Sequence, residues 1–347
     1  MNMCWTKKNL FGVVLILMAI VSCQQPSVTI VDTVAIKIDS LLSSNPKQAF
    51  NGIVLVTQEG EEPYVHIQGF SNVENKKELN LDDQFVIGSI SKQITAVLIL
   101  QAYERGDIAL DQPIGKYLLN SKQTWKDSVT IHHLLTHTHG IVALDEPLAF
   151  MPSTQFQYSQ LGYELLANIL EAVTHQSFAD LSTELFQKQG LKHTVHPKAR
   201  AAAKLVKGYT EMPNKTIVYE ANSLQNYVPA GSFISTANDL AAWNRCLHSG
   251  QLLKDSSFDL MVSDYETRKH PIFGEIEYGY GLTFKKGEAP IQIGALGFAP
   301  GFVSSNFYFP SSKTTVVILE NVARNLEDFK KTFYYHIKIL TAIREQH

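Results

Sequence analysis

Apolar and polar positions alternate with three different rhythms along the chain. Residues 30–43, IVDTVAIKIDSLLS, space their apolar side chains as one face of a helix does. Two β-like runs follow, NGIVLVT and YVHIQGF, separated by the turn-forming QEGEEP. From about residue 90 to 250 the pattern is mostly helical: ITAVLILQAYERG runs to Gly106, IHHLLTHTHG to Gly140, and LGYELLANILEAVTH aligns Leu161, Leu165, Leu166, Ile169, Leu170 and Val173 on one stripe. β-like runs return as YGYGLTF, APIQIGAL, FVSSNFYF and TTVVILEN, and Leu326 to Arg344 reads as a closing amphipathic helix. An antiparallel sheet completed by both ends of the chain, flanked by terminal helices and interrupted by a mostly helical insertion, is an α+β arrangement.

The beginning of the chain follows another logic. Lys7 and Lys8 precede NLFGVVLILMAIVSC, an apolar run too short to span a bilayer comfortably, with small residues at its end. Residues 1–23 therefore read as a signal peptide, and Ile20-Val21-Ser22-Cys23 resembles a bacterial lipobox, against the plainer alternatives of a short anchor or an ordinary cleaved signal. Lipidation at Cys23 implies a tether over 24–30, a domain over 31–347, and an exported chain held on a bacterial membrane facing the periplasm or cell envelope. Cys4 would be lost with the signal and Cys23 alkylated, so Cys246 is left as the one thiol and no disulfide framework supports the fold.

Composition narrows the class without naming a function. The 347 residues, 45% hydrophobic and 18% charged, suffice for a large core, and a net charge of −3 with scattered basic residues gives no nucleic-acid surface.

The chemistry begins at FVIGSISK, residues 85–92. Ser-x-x-Lys alone means little, and Ser44-Asn45-Pro46-Lys47 matches it inside a turn. If Ser89 opens a helix, however, Lys92 lies one turn on along the same face, beside unpaired N–H groups that favour developing negative charge. Read by themselves, these residues better suit a helix cap at Ser89 or Ser91 with a solvated lysine. Tyr158, just before a helix that Ser159 can cap, changes the balance, because a phenol beside a lysine has a lowered pKa and can act as a base.

The chain resembles the serine β-lactamase-related and penicillin-binding-protein-like family, in its class C, D,D-peptidase and esterase branch. The motifs occur in family order: QFVIGSISKQITAVLILQAYERGDIALDQPIGKYL, VTIHHLLTHTHGI, YSQLGYELLANILE, AGSFISTANDLAAW and GALGFAPGFVSSNFYFP. The resemblance implies a β-lactamase/transpeptidase-like fold and a serine hydrolase that needs no cofactor or metal, acting through an acyl-enzyme on an ester, amide or cell-wall peptide. It assigns Ser89 as nucleophile, Lys92 as its electrostatic and proton-transfer partner, Tyr158 as base or relay, and the backbone N–H groups of Ser89 and Phe298 as the oxyanion hole. Gln160, Ala295 and Gly297 fall at substrate-binding positions.

Two of these depart from the pattern. Gln160 stands where the family has asparagine, and Ala295 where it has a lysine or histidine that helps hold a substrate carboxylate. A catalytically weak relative that binds a peptide or cell-wall fragment is the alternative these departures suggest. Lys285 and Lys286, on the preceding predicted strand, are the nearest cations to make good the loss. His133 and His137 have an i, i+4 spacing that can grip zinc, but no glutamate follows His133, and packing with loop hydrogen bonds is the preferred reading for the cluster His132, His133, His137 and His139. Asp239 reads as a helix-start residue.

Overall fold

The structure, a computed structural model, describes residues 1, 30–44, 49–199, 202–221, 224, 227–285 and 292–346. Cys23 and most of the tether lie outside the described residues, as does Lys286. Among the described residues no helix is long and apolar enough to cross a membrane.

Eight strands form one antiparallel sheet: β1 (Gly52–Gln58), β2 (Tyr64–Gln68), β3 (Glu266–His270), β4 (Gly274–Tyr278), β5 (Thr283–Phe284), β6 (Ile293–Ala299), β7 (Phe302–Phe309) and β8 (Thr314–Glu320). Their spatial order is β2-β1-β8-β7-β6-β5-β4-β3, so the last strand in sequence pairs with the first and both ends of the chain close the sheet, as the pattern predicts. Every residue of β8 is buried, which suits a run of β-branched residues packed on both faces.

Nine helices surround it among the described residues: α1 (Ile30–Ser43), α2 (Ser91–Arg105), α3 (Ile131–Thr136), α4 (Gln160–Thr174), α5 (Phe178–Lys188), α6 (Ala237–His248), α7 (Asp255–Met261), α8 (Phe329–Thr332) and α9 (Tyr334–Arg344). On one face Val54, Val56, Phe307 and Ile318 pack against the terminal helices through Val34, Ile38, Ile339 and Ile343. On the other, Ile53, Leu55, Val317 and Leu319 join the larger core of the helical insertion, whose axis is α2. Each fully buried aliphatic contributes about 1.5–3 kcal/mol. Along α2 every residue from Ser91 to Leu100 is buried, which is why its pattern is apolar almost all round.

Three elements differ from the expectation. The closing helix is interrupted at Phe333, whose ring sits in a small cluster with Val303 and Ala323. Helix α3 stops at Thr136, before Gly140, because His137 takes a left-handed conformation (φ 62°). The hairpin of β3 and β4 lies in a stretch whose charges, ETRKH, hide the strand; as the edge of the sheet, β3 alternates exposed with half-buried positions.

Candidate active site

Strand β6 and the segment before α2 meet with almost no space between them. Gly88 has φ +56°, and a Cβ there would sit 2.3 Å from Phe298 N and 2.7 Å from Gly297 C. A Cβ at Gly297 would in turn lie 2.1 Å from Ile87 O. Glycine at both positions therefore lets Ser89 stand directly over β6. The two-residue connection Pro300-Gly301 makes Ala299 and Phe302 the closing pair of the β6–β7 hairpin. Bonded and non-bonded pairs alternate along such a ladder, so Phe298 turns its N–H away from β7, toward Gly88 and Ser89.

Ser89 occupies a 3₁₀ turn, Gly88–Ile90, that runs into α2. Neither serine caps the helix: no side-chain cap bond forms, and Ser91 Oγ instead accepts the N–H of Phe233 at 3.2 Å. Nor is Lys92 solvated. It is 1% exposed, and its Nζ donates to Ser89 Oγ at 3.3 Å, to Gln160 Oε1 at 2.6 Å and to the carbonyl of Ala230 at 2.7 Å. Ala230 belongs to the turn Val228–Ser232, pinned to α2 by Thr95, which donates to the Pro229 carbonyl at 2.6 Å.

Tyr158 precedes α4, whose cap is Ser159 accepting from Gly162 N at 3.3 Å. Lys92 Nζ lies 4.6 Å from the centre of its ring. Tyr158 is 39% exposed; its partial burial pushes the phenol pKa up, but the positive charge of Lys92, the polar groups of Lys92 and Ser89 beside it and the charge of Arg268 together bring it below its ordinary 10.0. Lys92 is likewise lowered, by burial first and by Arg268, against the opposing pull of Tyr158. Each group thus favours the charged form of the other, in a site that is closed to water at Lys92 and open to the cavity at Tyr158.

His137 fixes the tyrosine from behind, its ring 4.4 Å from that of Tyr158. Its Nδ1 accepts the N–H of Ser159 at 3.2 Å, which leaves the proton on Nε2 to be donated to Tyr278 Oη at 2.9 Å. Burial, then the Lys92, His139 and Arg268 charges, holds its pKa well below 6.5, so the imidazole is neutral. The other histidines are engaged elsewhere: His132 Nδ1 lies 2.8 Å from Tyr280 Oη, His133 accepts the Thr130 N–H in a capping box, and His139 accepts the Ile141 N–H. With His137 outside α3, the i, i+4 face that a zinc pair requires is not formed. Among the described residues no cluster of three or more His, Cys, Asp or Glu is placed to hold a metal. Asp239 sits in the first turn of α6 and accepts from His193 N at 2.8 Å and Thr194 Oγ1 at 2.9 Å, which ties down a loop.

Ser89, Tyr158, Gln160, Ala295 and Gly297 all line one cavity of about 360 Å³. Lys285, at the end of β5, is exposed and takes no part in its wall. The cation that does is one the sequence pattern concealed: Arg268 of β3, whose guanidinium carbon lies 5.3 Å from the ring centre of Phe156, 5.4 Å from Tyr158 and 5.2 Å from Tyr278. The one available signal was an arginine in alternation with polar residues before the turn HPIFG, and it does not reveal which way the strand faces.

A sheet closed by both chain ends, with a Ser-x-x-Lys turn set against an inner strand and a tyrosine over the lysine, defines the β-lactamase/transpeptidase class of fold. The chain belongs to the beta-lactamase family, whose sequence profile matches residues 37–341. Among its relatives, the teichoic acid D-alanine hydrolase of Staphylococcus aureus is 25% identical over 320 residues, covering 87% of this chain and 77% of that protein. The fold is shared with a D-amino acid amidase from Ochrobactrum anthropi (TM-score 0.78, 20% identity, covering 90% of this chain and 99% of that one). It is shared also with a penicillin-binding protein from Bacillus halodurans (TM-score 0.76, 21% identity, covering 90% and 100%).

Proposed function

We propose that the chain is a serine hydrolase that forms an acyl-enzyme at Ser89 on an ester, amide or cell-wall peptide. One observation carries this reading: a lysine 1% exposed, whose amine reaches both the Ser89 hydroxyl and the Tyr158 ring. A buried amine without a carboxylate partner is costly to keep, and a structural role would be met better by an apolar side chain.

In the proposed sequence Tyr158, as phenolate, takes the Ser89 Oγ proton while Oγ attacks the substrate carbonyl carbon. The oxyanion is held by the N–H groups of Ser89 and Phe298. Collapse breaks the bond to the alcohol or amine, which leaves with the proton returned by Tyr158. Water then attacks the acyl carbon by the same relay, releasing the acid and regenerating Ser89. Lys92 favours the phenolate form of Tyr158 before each proton is taken up, and Gln160 holds Lys92. Lipidation at Cys23 would place this chemistry at the cell envelope, where names such as teichoic acid D-alanine hydrolase situate relatives' substrates.

The test is intact mass after incubation with a fluorophosphonate and with several β-lactams. The expected result is a single adduct that disappears in Ser89→Ala; unchanged labelling of that variant sinks the assignment. Ala295 supports a second reading, a weakly active protein that binds a peptide or wall fragment, and absence of any adduct on the native chain would favour it.

A further inference from the structure

Position 295 gives the cavity a methyl group where a cation is expected, yet the cavity is not without positive charge. Arg268 reaches it from the outer edge of the sheet, three strands away from β6. Its guanidinium rests among three aromatic rings, its Nε is buried with no hydrogen-bond partner, and it forms no ion pair with a described acid. None of the described residues that line the cavity is acidic. A guanidinium is less strongly hydrated than an ammonium and stacks on aromatic faces, so Arg268 can rest against these rings, Tyr158 among them, and still take an anion from the cavity. Pro271, Ile272, Leu296, Phe298, Phe329 and Phe333 give the wall an apolar stretch, with His270 and Thr283 among its remaining polar groups.

We infer that Arg268 is the anion-recognition residue of this cavity, taking a carboxylate on a substrate whose apolar body lies along the Phe298–Phe329 wall, in place of the basic residue that position 295 lacks. The identification of the bound molecule as a substrate rests on the proposed acylation of Ser89; the recognition of its charge does not. Arg268 would be a specificity residue, and the loss at 295 would be a relocation of charge from an inner strand to an edge strand.

The experiment separates the two. Ser89→Ala, which cannot be acylated, is titrated by calorimetry with 4-phenylbutyrate and with the neutral 4-phenylbutanol. Hydrogen bonds to charged groups favour the carboxylate by about 10- to 100-fold. Adding Arg268→Met should erase the preference, and Arg268→Lys should retain part of it; Arg268→Gln replaces the methionine variant if that one does not fold. An arginine that merely packs the hairpin would leave the ratio unmoved. Equal binding of acid and alcohol, no binding of the acid, or a preference that survives Arg268→Met overturns the inference. Ser89 labelling with no charge preference removes this inference alone, whereas charge preference with no labelling removes the hydrolase reading alone.

Discussion

The two walls of the cavity are specified by different kinds of sequence information. On the helical wall, Ser89 and Lys92 are three residues apart, and the turn that joins them sets their geometry once Gly88 lets it approach β6. On the sheet wall, Ala295 and Arg268 come from β6 and β3, with β4 and β5 between them. The first wall is a local device carried by one motif. The second depends on strand order and on the direction of each side chain, so a cation can move between strands without leaving a motif behind. A deleted basic residue in a motif is therefore weak evidence for a deleted charge in the site.

The largest effect should come from the helical wall, through Lys92→Met. Methionine fills similar volume but leaves the Gln160 and Ala230 oxygens without their donor, at about 1–3 kcal/mol each, while relieving the desolvated amine, so net stability should shift little. Reactivity should not be spared. Tyr158 loses the charge that counters its burial, its pKa rises, and the limb on which fluorophosphonate labelling increases with pH moves upward. At neutral pH the labelling rate should fall by about 10²–10³, the range seen when one preorganised group is removed. A rate within a few-fold of native, with the limb unmoved, would mean that the helical wall is packing and not chemistry.

That wall was almost wholly legible in the sequence. The stripe on α4 is buried at its centre, from Leu165 to Leu170, and half-buried at Leu161 and Val173, Ser159 caps the helix, and Tyr158 lies over Lys92, because each depends on neighbours within one or two turns. The antiparallel sheet followed from alternating apolar runs at both ends of the chain. What could not be read is physical in each case. The β3–β4 hairpin is charged on its outer positions, as an edge strand needs to be, so its pattern resembles a loop. His137 leaves its helix through a left-handed backbone that residue type alone does not announce. The weak point of the resemblance, Ala295, was visible; its counterpart Arg268 was not, since only the fold brings β3 to the cavity.

A middle-sized effect is expected from returning the charge to its usual strand. Without knowledge of Arg268, Ala295→Lys would be expected to raise turnover of carboxylate-bearing substrates. With Arg268 in the same cavity and Ala295 6% exposed, a second cation meets both repulsion and a tight fit, so Ala295→Lys alone should change turnover by no more than a few-fold. In the Arg268→Met background the same substitution should recover about 10-fold in preference for the carboxylate-bearing ester over its neutral methyl ester. Equal effects in the two backgrounds would show that positions 268 and 295 do not share a role, and the contrast between the walls would need another basis.

The smallest effect, and the one that sharpens the contrast most finely, lies where the walls meet at Gln160. Its Oε1 is 2.6 Å from Lys92 Nζ, a contact the family's asparagine would have to make from a shorter stem. Removing one methylene withdraws the amide by about 1.5 Å, beyond hydrogen-bond reach unless α4 moves inward. Gln160→Asn should therefore slow labelling by a few-fold and leave the pH limb in place, because no charge has changed. Gln160→Glu is the complementary probe. A carboxylate beside Lys92 holds the amine protonated, opposes ionisation of Tyr158, and should shift the limb to higher pH. If asparagine raises the labelling rate above native, the longer side chain is not compensating for the backbone position of α4, and its length would instead serve the substrate side of the cavity, which Gln160 also lines.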